Sequence, residues 1–156
     1  MSLRVGTGVD AHAFEDGVPL VLGGVAFESE RGLAGHSDGD VITHALIDAV
    51  LGAAGLGDIG SLFPSDASTP VGISSLDLLR DAVALVREAG YEVVNADCLL
   101  IGEEPRISER RIGMADALSS VVGAPVNVRA TTTDGLGFTG RREGLAAQAV
   151  ALVESS

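Results

Sequence analysis

Apolar surface in excess of what one small domain can bury is the feature that most constrains this chain. Mean hydropathy is +0.36 and 46% of residues are hydrophobic, yet only 3% are aromatic. The apolar mass is therefore Ala, Val, Leu and Ile, spread over 156 residues. A chain of that length makes about one domain and leaves roughly a third of its unfolded surface exposed. No apolar run approaches the roughly 20 residues of a membrane span. The surplus is expected to face another subunit, which makes an obligate oligomer the expected state.

Hydrophobic periodicity sorts the chain into short elements. Residues 3–9 read as a strand in which Gly6 and Gly8 allow close backbone approach. Residues 18–28 read as two short strands around Gly23 and Gly24, and residues 32–39 as a glycine-rich loop. Residues 40–54 read as a helix N-capped by Asp40, with Val41, Ala45, Asp48 and Leu51 along one side. Residues 55–69 hold turn residues and one short helical turn. Residues 74–88 read as an amphipathic helix closed by Gly90, and residues 91–101 as a strand rich in Val and Leu. Residues 105–122 read as a third helix with Pro105 near its start, residues 126–133 as a strand, and residues 141–153 as a final helix. The expected class is α+β, a mixed α/β layer. It would be a single domain over residues 1–156, with a small mixed sheet carrying helices on one face. A neighbouring subunit is the natural cover for the other face.

Charge narrows the partners. Net charge is −12, from ten Arg, no Lys and 22 acidic residues. Such a chain is a poor binder of nucleic acid or of an anionic membrane. A phosphate ligand would need metal ions or a few placed arginines. The lone Cys98 excludes an internal disulfide and fits a reducing compartment. No signal or transit pattern opens the sequence, so the expected location is cytoplasmic.

All three histidines fall within the first 44 residues, each near a carboxylate. Asp10 and His12, two apart in a strand, point to one side. His44 lies one helical turn after Asp40, and Asp48 one turn after His44. If that helix packs beside the first strand, Asp10, His12 and His44 can hold zinc with one tetrahedral position open. Asp48 or Asp40 could then orient His44. The same spacings also arise by chance. His36, set among Gly35, Ser37, Asp38 and Gly39, reads either as a ligand-contacting or as a solvated loop residue.

A second group of segments suits phosphate. Thr131, Thr132, Thr133 and Asp134 follow a strand, and a glycine turn leads to Arg141 at the start of the last expected helix. Hydroxyls, turn amides and a helix N-terminus make an anion-binding concavity, and Asp134 offers a hard oxygen for Mg²⁺. A Thr-rich strand end before a flexible turn accounts for the pattern equally well. Asp58, Ile59 and Gly60 with Phe63 and Pro64 could form a flap or plain punctuation between helices. Pro105-Arg106 places a cation for a phosphate or a surface arginine.

Together these blocks resemble the 2-C-methyl-D-erythritol 2,4-cyclodiphosphate synthase family of the non-mevalonate isoprenoid pathway. The matching segments are Gly8-Val9-Asp10-Ala11-His12-Ala13-Phe14, Gly35-His36-Ser37-Asp38-Gly39-Asp40 through His44 and Asp48, Leu56-Gly57-Asp58-Ile59-Gly60 with Phe63-Pro64, and Asn127 through Thr133 to Gly140-Arg141. The resemblance implies a cytidine-diphosphate-linked substrate and a homotrimer with active sites between subunits. It implies zinc, or another divalent cation, on Asp10, His12 and His44, and Mg²⁺ or Mn²⁺ on Asp134 with the diphosphate. His36 and Thr132 match positions that steady the transition state. His36, Ser37, Asp58, Ile59, Gly60 and Asp66 match substrate-binding positions, with Asp58 and Gly60 in the erythritol-binding segment. Gly102, Pro105, Arg106, Thr131, Thr132, Thr133, Asp134, Phe138 and Arg141 match its cytidine and diphosphate side.

Three positions depart from the family pattern: Asp134 stands where Glu is usual, Arg106 where Lys is usual, and Ser65-Asp66-Ala67 where Asp-x-Asp is frequent. Two other functions fit the residues. One is a divalent-metal phosphohydrolase acting on a nucleotide diphosphate. The other is a zinc-stabilised trimeric protein that binds isoprenoid diphosphates.

Overall fold

A computed structural model describes residues 1–155. Strand β1 (Ser2–Asp16) is followed by the short strands β2 (Leu20–Leu22), β3 (Val25–Phe27) and β4 (Arg31–Leu33). Helices α1 (Val41–Ala53), α2 (Ile59–Leu62) and α3 (Ser75–Glu88) come next. Strand β5 (Tyr91–Ile101), helix α4 (Arg111–Val122), strand β6 (Val126–Thr131), helix α5 (Gly137–Gly140) and strand β7 (Gly144–Ser155) complete the order. Five strands form one mixed sheet in the order β4-β1-β7-β5-β6, and β2 pairs with β3 in a separate hairpin. Only β5 and β6 run parallel. The α+β expectation holds.

The helices lie on one face of the sheet. Helix α1 packs against β1, β7 and β5, and α3 packs on α1. Asp40 caps α1 as expected, accepting from the Thr43 amide. The one-sided pattern read for α1 gives way to burial nearly all round: Val41, Ile42, Ala45, Leu46, Ile47, Ala49, Val50 and Leu51 have no exposed surface. Its close seat on β1 depends on Gly6 and Gly8. A Cβ on Gly8 would stand 2.0 Å from the Ala45 carbonyl oxygen, and one on Gly6 would stand 2.1 Å from that of Ala49. Gly8→Ala should therefore cost about 3 kcal/mol of stability, the upper range for overpacking, because backbone must yield. Urea denaturation checks this, and an unchanged midpoint would refute the contact.

The expected helix over residues 141–153 is instead β7, the central strand, bonded to β1 on one edge and β5 on the other. Leu145, Ala147, Ala149, Ala151 and Val153 do alternate onto the core face. Apolar Ala146, Val150 and Leu152 between them mask that period, and the alanines suit a helix as well. The expected helix over residues 105–122 begins only at Arg111, after a turn in which the Arg110 amide donates to the Ile107 carbonyl. Strand β1 runs past residue 9 to Asp16, part of the expected loop is β4, and β6 stops at Thr131.

The opposite face of the sheet is bare. Leu3, Val5 and Val9 are 60–66% exposed and Val150 is 40% exposed. Asp97 and Arg129 form a two-bond ion pair there, at 3.1 and 2.8 Å. No helix is long and apolar enough to cross a membrane among the described residues.

Candidate active site

With α1 drawn onto β1, the side chains of Asp10, His12 and His44 converge. His12 Nε2 lies 2.8 Å from Asp10 Oδ2, His44 Nδ1 lies 3.1 Å from the same oxygen, and the two nitrogens are 3.2 Å apart. One donor atom from each residue lies within 4.8 Å of the others. Tetrahedral zinc with ligands at about 2.0–2.1 Å needs adjacent donors about 3.3 Å apart, so the set fits that ion. The outer nitrogens are held too. His12 Nδ1 meets the Ala34 carbonyl oxygen at 2.6 Å, and His44 Nε2 meets Ser37 Oγ at 2.9 Å and Ser75 Oγ at 2.8 Å.

Burial pushes the Asp10 carboxyl up, but hydrogen bonds from His12 and His44 outweigh it and bring it down to about 2. The hydrogen bond to Asp10 raises His12 above the usual imidazole value. Linkage then sets a window for the metal-free protein. The depressed carboxyl contributes stability above pH 3.8, its unfolded value, and loses it as pH falls toward about 2. The raised imidazole contributes below pH 6.5 and loses its share as pH rises through its folded value. Metal-free protein should thus lose stability as pH rises from 6.5 through the folded value of His12, and Asp10→Asn should abolish that loss in thermal melts.

Neither Asp40 nor Asp48 orients His44, contrary to expectation. Asp40 is fully buried and accepts from the Gly23 and Gly24 amides, each at 2.8 Å, and from Thr43. Its carboxylate therefore pins the β2–β3 hairpin to α1. Asp48 accepts from the Ile59 amide at 2.7 Å, which seats α2. His44 Nε2 instead meets Ser75 and Ser37, and Ser75 was not picked out from the sequence, where it falls within the helix read over residues 74–88.

The triad floors a cavity of about 180 Å³ that His36, Ser37, Ile59, Gly60, Phe63, Ser65 and Thr69 also line. The structure thus brings His36, Ser37, Ile59 and Gly60 to the triad. His36 Nε2 is held 2.5 Å from the Thr69 carbonyl oxygen. Asp58 instead caps α2 through the Ser61 amide, and Asp66 accepts from Ser68.

A second cavity, of about 510 Å³, gathers Gly102, Pro105, Arg106, Thr131 and Thr132. Arg111 and Arg142 line it as well, and neither was picked out from the sequence. Arg106, Arg111 and Arg142 have no ion pair among the described residues, whereas Arg31, Arg80, Arg87, Arg129 and Arg141 all do. Thr133, Asp134, Phe138 and Arg141 line neither cavity. Thr132 Oγ1 donates to Asp134 Oδ1 at 3.2 Å, and Asp134 sits in a left-handed backbone conformation with φ 53°. Arg141 follows α5 rather than opening a helix, and pairs with Glu143 at 2.5 Å. The two cavities share no lining residue, so within one chain the expected site is in two halves.

A model of the YgbB family matches residues 3–154. The chain belongs to that family. It is 52% identical over 156 residues to the 2-C-methyl-D-erythritol 2,4-cyclodiphosphate synthase of Syntrophobacter fumaroxidans, covering 98% of both chains. It is similar to the solved IspF of Plasmodium falciparum in its CDP complex, with TM-score 0.85 and 31% identity over 99% of this chain and 97% of that one. Similarity to the bifunctional IspDF of Campylobacter jejuni reaches TM-score 0.95 at 39% identity, over 99% of this chain and 43% of that longer one. The resemblance read from the motifs is borne out, and YgbB family membership extends over both halves of the candidate site.

Proposed function

We propose that this chain converts 4-diphosphocytidyl-2-C-methyl-D-erythritol 2-phosphate to 2-C-methyl-D-erythritol 2,4-cyclodiphosphate and releases CMP. It is then a phosphorus–oxygen lyase of non-mevalonate isoprenoid synthesis. The observation that carries the reading is the Asp10, His12 and His44 triad, whose donor spacing suits zinc and which opens into a cavity. The relatives are named for a cyclising synthase, so metal-dependent hydrolysis is not favoured.

The 2-phosphate attacks the β-phosphorus, and the bond to CMP breaks. The attacking oxygen is already anionic, so no general base is needed, and catalysis is mostly placement and charge neutralisation. Zinc on the triad, when bound, neutralises charge and polarises a phosphate oxygen. Asp134 would hold Mg²⁺ or Mn²⁺ beside the diphosphate; a single carboxylate suits an ion that keeps water and phosphate ligands. His36 and Ser37 face the triad from the cavity wall, and Ile59 and Gly60 shape the sugar side. Thr132, beside Asp134, and Arg106, with no ion-pair partner among the described residues, receive the nucleotide side.

The working form is a cytoplasmic homotrimer with sites between subunits. A cavity of about 180 Å³ is small beside the roughly 300–1,000 Å³ of ordinary ligand sites. A neighbouring chain's nucleotide-side cavity supplies the rest, and the bare apolar sheet face supplies the contact.

Incubation of purified protein with the substrate, Zn²⁺ and Mg²⁺ tests the activity by phosphorus NMR. CMP and cyclic diphosphate should appear in equal amounts. Ring-free phosphate products alone would overturn the reading.

A further inference from the structure

The triad binds a cation only if each imidazole turns an unprotonated nitrogen inward. A neutral histidine carries its proton on one nitrogen, and the partners of the two nitrogens compete for it, with Asp10 on the inner side. For His12 the outer partner is the Ala34 carbonyl oxygen, which can only accept, so Nδ1 keeps a proton and Nε2 is the nitrogen that gives its own up to a cation. For His44 the outer nitrogen Nε2 meets two serine hydroxyls, each able to donate or accept.

We infer that Ser75 and Asp38 are positioning residues that hold His44 in the tautomer with Nδ1 free to bind the metal. The Ser75 hydroxyl donates to Asp38 Oδ1, so its oxygen can only accept from His44 Nε2. The Ser75 amide donates to Asp38 Oδ2 at 3.0 Å, which locks the serine against the carboxylate. Ser75 is fully buried at the first residue of α3, and Asp38 is anchored by its own amide on the Ile73 carbonyl. Ser37 touches the same nitrogen but has no carboxylate to set its hydroxyl, and so does not choose the tautomer. Without Asp38, the Ser75 hydroxyl could turn and donate to Nε2. The proton would then sit on Nδ1, in the position the cation needs. Two residues more than thirty positions apart in sequence thus decide whether a ligand from α1 is usable.

The inference rests on the metal reading, and two measurements separate them. Zinc affinity is read by competition with a chromophoric chelator. Ser75→Ala and Asp38→Asn should weaken it about 10–100-fold, the usual effect of losing a partner of a metal-bound histidine. Ser75→Thr, which keeps the hydroxyl, should restore most of the affinity. Ser74→Ala should change nothing, since Ser74 makes no capping side-chain bond. Without metal, Asp10 Oδ2 draws a proton to His44 Nδ1, so the relay is read on the outer nitrogen: nitrogen NMR of the metal-free protein should show Nε2 protonated in the wild type and less so in Ser75→Ala. A Ser75→Ala protein with wild-type zinc affinity, or with His44 Nε2 protonated to the wild-type extent, would overturn the relay. Wild-type protein that takes up no zinc would sink the metal reading alone, and the tautomer measurement would still decide the relay.

Discussion

His44→Ala should leave a folded protein that holds almost no zinc and turns over at least about 10³-fold more slowly. That factor corresponds to roughly 4 kcal/mol of lost transition-state stabilisation. The size follows from geometry. His44 supplies one of three converging donors, and its Nδ1 stands 3.1 Å from Asp10 and 3.2 Å from His12. Two donors on one strand cannot enclose a tetrahedral ion, so affinity collapses rather than declining in proportion. The fold survives because α1 is held to the sheet by its aliphatic side chains and by the Gly6 and Gly8 approach, not by the histidine. Metal analysis and circular dichroism of the purified variant check both halves. A full zinc complement in this variant would remove His44 from the ligand set.

What the sequence made legible depended on whether one periodicity stood alone. Strand β5 was read from its richness in Val and Leu, and α3 has charged residues at helical spacing on its outer side. Both lie where the pattern put them. Strand β7 was misread because both of its faces are apolar and its alanines favour a helix over a strand. Asp10 and His12 were legible because strand geometry alone makes residues two apart converge. His44, one turn beyond its helix cap, was legible only on the condition that α1 packs beside β1. Ser75 and Asp38 were not, since Ser75 meets both His44 and Asp38 only once α3 has docked against α1. Arg111 and Arg142 belong to that class too: a helix start and a loop meet at one cavity only through the order of strands in the sheet.

Val150→Asp should turn a trimer into single chains and remove turnover while each chain keeps its zinc. Val150 stands on the bare face of the sheet, opposite Thr7 on β1 and Asp97 on β5. In an isolated chain it is 40% exposed, so a carboxylate there keeps much of its hydration and costs the fold little. In a closed trimer the same carboxylate loses water next to Asp97, whose own charge Arg129 already compensates. An uncompensated charge in such an interface costs about 3–5 kcal/mol, and symmetry repeats that cost at every copy. The triad lies on the other face, beneath α1, so its donors keep their spacing. Zinc content should therefore stay near one per chain while light scattering falls from three chain masses to one. Lost turnover with retained zinc places the missing half of the site on a neighbour, because the cavity above the triad shares no residue with the arginine-lined cavity of its own chain. A Val150→Asp protein that is active as a monomer would instead put both halves within one chain and end the intersubunit reading.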